Sequence, residues 1–353
     1  MTALPVTLRA RRLPGFAPWA IAAGAVAVAY AAVYIGGLMG GGGFLALVAA
    51  VLLYLVGLGV IATRVEGSRA ARNRIATSLI YSVVALALWP LVSVVWTLVQ
   101  KGTSRLDADF FGHSNAGITA FDANGGAYHA IIGTLEQVGI ATLITVPLGI
   151  LAAVYIVEYG RGRLATAIRF FVDVMTGIPS IVAGLFVLAF WVYVVYPLYS
   201  PDGKPGYSGF AASLALSVLM LPTITRSCEE MLRLVPTALR EGSYALGIAK
   251  WKTIVRIVLP TALPGIVTGV MLAVARAAGE TAPVLLVAGG FDSINTDPFI
   301  GNQSSLSIYI YQQAGLGSQF GPPRAWTAAL TLVALVLSLT IVAKLLARRS
   351  KLK

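Results

Sequence analysis

Two ionisable residues, Arg276 and Glu280, stand four apart inside an otherwise oily stretch, GVMLAVARAAGETAPVLLVAGG at 269–290. Arginine brings a permanent charge and a planar fork that bonds two oxygens of an oxyanion at once. A charge at the centre of a membrane helix costs about 2.5–3.5 kcal/mol, while each strongly apolar neighbour returns about 0.3–0.6 kcal/mol, so this stretch can still insert. At i and i+4 the two side chains share a helix face and can pair. One reading is therefore a neutralised pair that fixes helix packing. The other is a pathway site, with Thr281 beside it, because ionisable groups inside a membrane characteristically face a cavity.

A second cluster, TGIPSIVAGLF at 176–186, places Thr176, Gly177, Pro179 and Ser180 inside an apolar run. Pro179 removes a backbone hydrogen bond and clashes one turn back, which predicts a kink near residue 175. The kink either serves packing alone or frees Thr176, Ser180 and backbone groups to line a pathway. Asp173, a turn earlier, reads as structural. His113 and His129 stand far apart with no carboxylate at ligand spacing, and Cys228 is the only cysteine. Neither a metal site nor a disulfide framework is expected.

The elements that must position these residues are membrane helices. The 353 residues are 58% hydrophobic and 11% charged, with a mean hydropathy of +0.83, whereas a soluble domain carries about 25% charged residues. The sequence predicts an all-α polytopic membrane protein with eight spans, at 19–39, 44–63, 75–99, 131–157, 168–196, 209–227, 262–288 and 326–347. Each reaches the ~20 residues needed to cross the hydrocarbon. Of the 26 lysines and arginines, twenty-one fall on alternate loops and only Lys101, Arg105, Lys204 and Arg324 on the others. The basic side, with both termini, is then cytoplasmic. The net charge of +12 thus reports topology rather than nucleic-acid binding. The N-terminus has the basic start of a signal peptide, but its apolar run is too long and a second span follows the glycines at 40–43. We read an accessory hairpin at 1–64, a basic linker at 65–74, a six-span core at 75–347 and a basic tail at 348–353.

The longest cytoplasmic connection is CEEMLRLVPTALREGSYALGIAKWKTIVRIVLP, 228–260. Thr237 can cap a helix starting near Ala238, and Gly247 is suited to end it. A second amphipathic set follows, with Trp251, Ile254, Val255 and Val258 on one side, and Pro260 marks the return to the membrane. A short helix held below the bilayer is a docking surface for a cytoplasmic partner.

Glu241, Gly242, Ser243 and Gly247, followed by Ile257, Leu259 and Pro260, resemble the signature loop E-(A/G)-(A/S)-x-x-x-G…I-x-L-P of ABC-importer permeases. Gly242 and Ser243 replace the two usual alanines. The stretches at 129–159, 173–187, 244–270 and 275–283 are further similar to PstA-type permeases of phosphate importers, so the likeness runs over 75–347. The first 64 residues depart from that family's six-span plan. The resemblance implies a six-helix permease core in the bacterial cytoplasmic membrane, with the signature residues coupling it to an ATPase. It implies a PstC-type permease partner, two ATP-binding subunits, an external phosphate-binding protein and membrane lipid. ATP and Mg would be bound by the partner ATPase, leaving no cofactor in this chain. Arg276 would then grip phosphate. Glu280 would neutralise it when the path is empty, or accept a hydrogen bond from the proton that phosphate carries and sulfate does not.

The Walker pattern G-x-x-x-x-G-K-(S/T) is absent, as is any serine–histidine–acid set, so an enzyme is not expected. The external segments 100–128 and 289–325 either receive the binding protein or are plain connectors. LSIYIYQQ, 306–313, is too short to span and is expected at the interface. Alternatives are a permease for sulfate or molybdate, an ion-driven carrier using Arg276–Glu280 as a relay, and a structural or sensory membrane protein.

Overall fold

The structure, a computed structural model, describes residues 13–35, 42–160 and 162–349, and its regular elements there are helices. Contacts divide the chain into two units, 1–97 and 98–353.

In the first unit, α1 (Ala17–Tyr30) runs on into a π-helical turn, Ala31–Ile35, and lies against α2 (Gly43–Glu66). The first expected span, 19–39, falls partly on residues outside those described. The expected linker 65–74 is almost wholly helical. Gly67 alone makes the turn, at φ 85°, and α3 (Ser68–Gly102) begins at once. A glycine in the left-handed region needs no longer connection. Arg74 bonds Glu66 at 2.6 Å across this turn.

The second unit contains α4 (Ala108–Gly112), α5 (Tyr128–Val154), α6 (Arg163–Thr176), α7 (Ser180–Val187), α8 (Gly209–Arg233) and α9 (Thr237–Ala245). It continues with α10 (Lys250–Thr253), α11 (Leu259–Ala278), α12 (Ala282–Ala288), α13 (Leu306–Gly315) and α14 (Gly321–Arg349). π-helical turns extend α5 to Tyr159 and α7 to Val195, and another joins α10 to α11. The spans Tyr128–Tyr159, Ser180–Leu198, Gly209–Arg233, Lys250–Ala278 and Gly321–Leu345 are long and apolar enough to cross a membrane, as are α2 and α3.

Helix α8 is the core. Its Ala211, Ala212, Ala215, Leu216, Ile224, Cys228 and Leu232 are buried. Glycines let its neighbours close on it: a Cβ on Gly149 of α5 would sit 2.7 Å from Ile224, and one on Gly269 of α11 would sit 1.7 Å from Ser227 Oγ. Small residues at crossings are how membrane helices gain contact where lipid removes the hydrophobic drive.

Three expectations change. First, α8 passes through Pro222 to Arg233 instead of ending at 227. Second, the expected span 168–196 is two helices: α6 stops at Thr176 and a new helix starts at Ser180. Third, the expected span 262–288 likewise ends at Ala278 and restarts at Ala282, while its other end reaches back without interruption to Lys250. Pro260 therefore lies inside a continuous helix. Its missing N–H follows the π turn Ile254–Val258, in which the ordinary bonding register is already relaxed. Helix α13 packs one face into the unit: Leu306, Ile308 and Tyr309 are fully buried, while Tyr311 on the other face is exposed.

Arg324, read as a loop cation, is 1% exposed. It donates to Gln313 Oε1 at 3.4 Å and to the carbonyls of Asp122 and Asn124, and so holds the segment 119–125 in place. In the same region Arg105 bonds Asp107 at 2.9 Å and holds its carboxyl below the usual range. Contrary to the expectation from sequence, His113 does have a carboxylate within reach, since Asp109 lies one turn before it at 3.5 Å.

Candidate functional site

Both breaks in the second unit combine a proline with a glycine before it. A proline cannot donate to the carbonyl four residues back, and its ring crowds it; Pro147, Pro222 and Pro264 are nevertheless carried inside continuous helices. At Pro179, with Gly177 before it, α6 ends at Thr176, and at Pro283, with Gly279 before it, α11 ends at Ala278. Glycine adds the backbone freedom that lets the chain leave the helix. Gly177, Ile178 and Pro179 form the first break, and Gly279, Glu280 and Thr281 the second. The two following helices pack together, α7 on α12. A Cβ on Gly184 would lie 2.7 Å from Pro283 Cα, so only glycine fits there.

Arg276 therefore sits in the last turn of α11, not mid-helix, and Glu280 lies in the break after it. Arg276 Nε and Glu280 Oε1 are 3.5 Å apart, with side-chain exposures of 66% and 18%. That is longer than a good charge-assisted hydrogen bond. The cleft beside the pair, lined by Leu219, Met220, Thr223, Ala273 and Ala277, holds only about 10 Å³. This is at the lower limit for a single water and far too small for a tetrahedral oxyanion, so Arg276 can meet an anion only on its outward side. Thr176, Gly177, Pro179 and Ser180 do not line this cleft. Thr176 instead bonds its own helix, to the Val172 carbonyl at 2.8 Å.

The signature loop is built as a protruding helix. Pro236 precedes it, and Thr237 is its first residue rather than its cap, since no side chain caps that end. Gly247 ends it at φ +73°, its N–H bonded to the Tyr244 carbonyl at 2.9 Å. The small Ser243 is the buried residue of α9, and its Oγ meets Thr253 Oγ1 at 2.8 Å, which fastens α9 to α10. Glu241 and Gly242 face outward, among the exposed apolar side chains Leu239, Tyr244, Leu246 and Trp251. Ile257 lies in the π turn, and Leu259 and Pro260 open α11.

Ion pairs that sequence reasoning missed lock the loop to the bundle. Arg240 of α9 reaches Glu158 at the end of α5, at 2.9 Å, and also bonds the carbonyls of Val235 and Leu232. Glu229, 5% exposed, is shared by Arg233 at 2.7 Å, Arg226 at 3.0 Å and Arg169 at 3.9 Å, while Arg226 also bonds Asp173. The arginines are partly exposed and hydrate when the carboxylate is removed, so the loss is smaller than for a fully buried pair. Glu229→Ala is expected to cost about 1–3 kcal/mol, read as a lower thermal midpoint in detergent. An unchanged midpoint would show that the cluster holds nothing together.

A polar network inside the bundle was also missed. Gln303 Nε2 donates to Glu136 Oε2 at 2.5 Å and to the Asn295 carbonyl at 3.0 Å, and Gln137 Nε2 donates to Gln303 Oε1 at 2.9 Å. The Leu306 N–H donates to Thr134 Oγ1 at 2.7 Å, and Ser307 Oγ to the Glu280 carbonyl at 3.0 Å. Residues 303–305 thus re-enter the bundle rather than serve as a plain connector. The signal was available, because Glu136 is an ionisable residue inside an expected span.

Helices that span, break at proline and close on small residues, with one short helix held out on a brace of ion pairs, define a membrane-embedded transport subunit. Residues 145–352 match the family described as "Binding-protein-dependent transport system inner membrane component". The chain is 46% identical over 281 residues to "Phosphate transport system permease protein PstA 1" of Mycobacterium tuberculosis (strain CDC 1551 / Oshkosh), covering 79% of this chain and 89% of that one. It is 37% identical over 286 residues to "Phosphate transport system permease protein PstA" of Haemophilus influenzae, covering 80% and 96%. The chain belongs to this family of inner membrane transport components, among the PstA permeases. It is a multi-pass membrane protein that works with other transporter subunits.

Proposed function

We propose that this chain is one half of the translocation pathway of an ATP-driven phosphate importer. A related permease completes the pathway, one of two ATP-binding subunits docks on α9, and an external phosphate-binding protein delivers the substrate. The ATPases bind ATP and Mg, and this chain needs no cofactor. Both termini and the signature loop face the cytoplasm. The observation that carries the reading is the outward exposure of Arg276 beside a carboxylate that holds it loosely. A packing brace would be short and enclosed, as Arg240–Glu158 is. A half-pathway instead presents its anion-binding group to the half that is missing. The names of the relatives supply the substrate class.

The apolar outer face of α9 supports the ATPase assignment. Two measurements test the reading. ATP-dependent phosphate uptake in vesicles, with the binding protein added and sulfate and molybdate as competitors, should show phosphate preferred; equal competition by sulfate would replace the substrate. Gly247→Ala strains a left-handed position by about 1–2 kcal/mol and should loosen the end of α9. With Glu241→Ala, it is expected to lower the amount of ATP-binding subunit that co-purifies. Undiminished co-purification in both variants would move the docking site elsewhere.

A further inference from the structure

Where α5, α6, α8 and α10 meet beside the signature loop lies a cavity of about 520 Å³. Arg169 of α6, Arg233 of α8 and Lys250 of α10 line it, with residues 156–160 forming a wall. Around it, five cations (Arg169, Arg226, Arg233, Arg240 and Lys250) face three carboxylates (Glu158, Asp173 and Glu229). Among the described residues this leaves two positive charges in surplus. The carboxylate of Glu158 is 5% exposed and engaged by Arg240, so it is not free to fill the cavity. Among the described residues Lys250 bonds the Glu158 carbonyl alone, and it lies 4.5 Å over the Tyr159 ring. Arg169 spends one nitrogen on the Ile156 carbonyl at 3.1 Å, while its buried Nε, 3.9 Å from Glu229, has no hydrogen-bond partner among the described residues.

We propose that Arg169, Arg233 and Lys250 form a binding site for a phosphate group, distinct from Arg276 and placed against the docking loop. Arg233 keeps Nε and Nη2 on Glu229, and Arg169 keeps Nη2 on Ile156. The Nη1 group of each guanidinium and the Lys250 ammonium are the donors left for an oxyanion, and the surplus of two charges matches a doubly charged one. The occupant is either free inorganic phosphate or the headgroup of an anionic phospholipid, and the cavity has room for either. Each of the three cations comes from a different helix, so an occupant would tie α6 and α8 to the segment that leads out of α9. If the chain carries phosphate as proposed above, the site lies where the delivered ion could act back on coupling; the binding itself does not depend on that reading.

The test is equilibrium binding of radiolabelled inorganic phosphate to the full chain in phosphatidylcholine nanodiscs. One saturable site is expected to survive Arg276→Gln and to weaken about tenfold in Lys250→Gln and in Arg233→Gln, the loss of one charge-assisted contact. Lys250 pairs with no carboxylate, so its variant keeps every ion pair described and should fold. Competition by phosphatidylglycerol introduced into the disc would identify a lipid headgroup as the occupant, and its absence would identify the free ion. Binding that vanishes in Arg276→Gln while ignoring Lys250→Gln, or no saturable binding in either lipid, would overturn the site. Because Arg276→Gln carries no pathway arginine, this outcome is separable from failure of the proposed transport role.

Discussion

Arg276→Ala is expected to lower phosphate uptake by about 100-fold or more, the worth of a two-bond charged grip. Arg276→Lys should fall between, about tenfold down, because it keeps the charge and loses the fork. The structure sharpens this expectation. The pair contact is single and 3.5 Å long, and two-thirds of the arginine side chain is exposed. Replacing Arg276 should therefore leave the protein's thermal midpoint nearly unchanged, whereas a packing brace would lose stability along with transport. Full uptake in Arg276→Lys would mean that charge alone suffices. Glu280→Gln separates the remaining role: if uptake and phosphate-over-sulfate preference both stay as they were, the carboxylate does not discriminate.

The second large effect concerns Gly133. A Cβ there would lie 2.0 Å from the Ser304 carbonyl oxygen, a backbone atom that cannot swing aside. Gly133→Ala must displace the re-entrant segment, and with it the Thr134–Leu306 and Gln137–Ser304 bonds. We expect a loss of about 3 kcal/mol or more, seen as a lower melting midpoint and loss of uptake. Gly139→Ala is the control on the same helix. Nothing lies within 4 Å of its added Cβ, and alanine gains about 1 kcal/mol of helix propensity over glycine. Equal midpoints in the two variants would contradict the close packing of residues 303–305 on α5.

Much of the architecture was legible because a membrane filters composition strongly. The apolar runs, the basic alternation and the seven-residue pattern around Glu241 and Gly247 each register without tertiary information. Gly247 adopts the left-handed conformation that its position requested. What hydropathy could not resolve was continuity. An apolar run stays apolar whether its backbone is one helix or two, so the stretches 168–196 and 262–288 each read as single spans. Proline held the missing information in both. Pro179 was read as a kink, although a full break lets Ser180 start a fresh helix. Pro283 was passed over, although with Gly279 four residues before it the pair ends the helix, whereas Pro222 without such a glycine does not. Gln303 and Arg324 were hidden for another reason. Their partners lie far away in sequence, and loops rich in glycine and asparagine resemble solvent-exposed connectors whether or not they fold inward.

The bond between Glu158 and Arg240 spans 82 residues of sequence. At a synthesis rate of about 5–20 residues per second, the carboxylate leaves the ribosome roughly 4–16 seconds before its partner exists. During that interval the end of α5 carries an unmatched charge, whose hydration keeps it at the water boundary. The delay acts as a stop on how far α5 can slide into the bilayer. It also fixes an order for this one contact, in which α5 is made before the docking helix that latches to it.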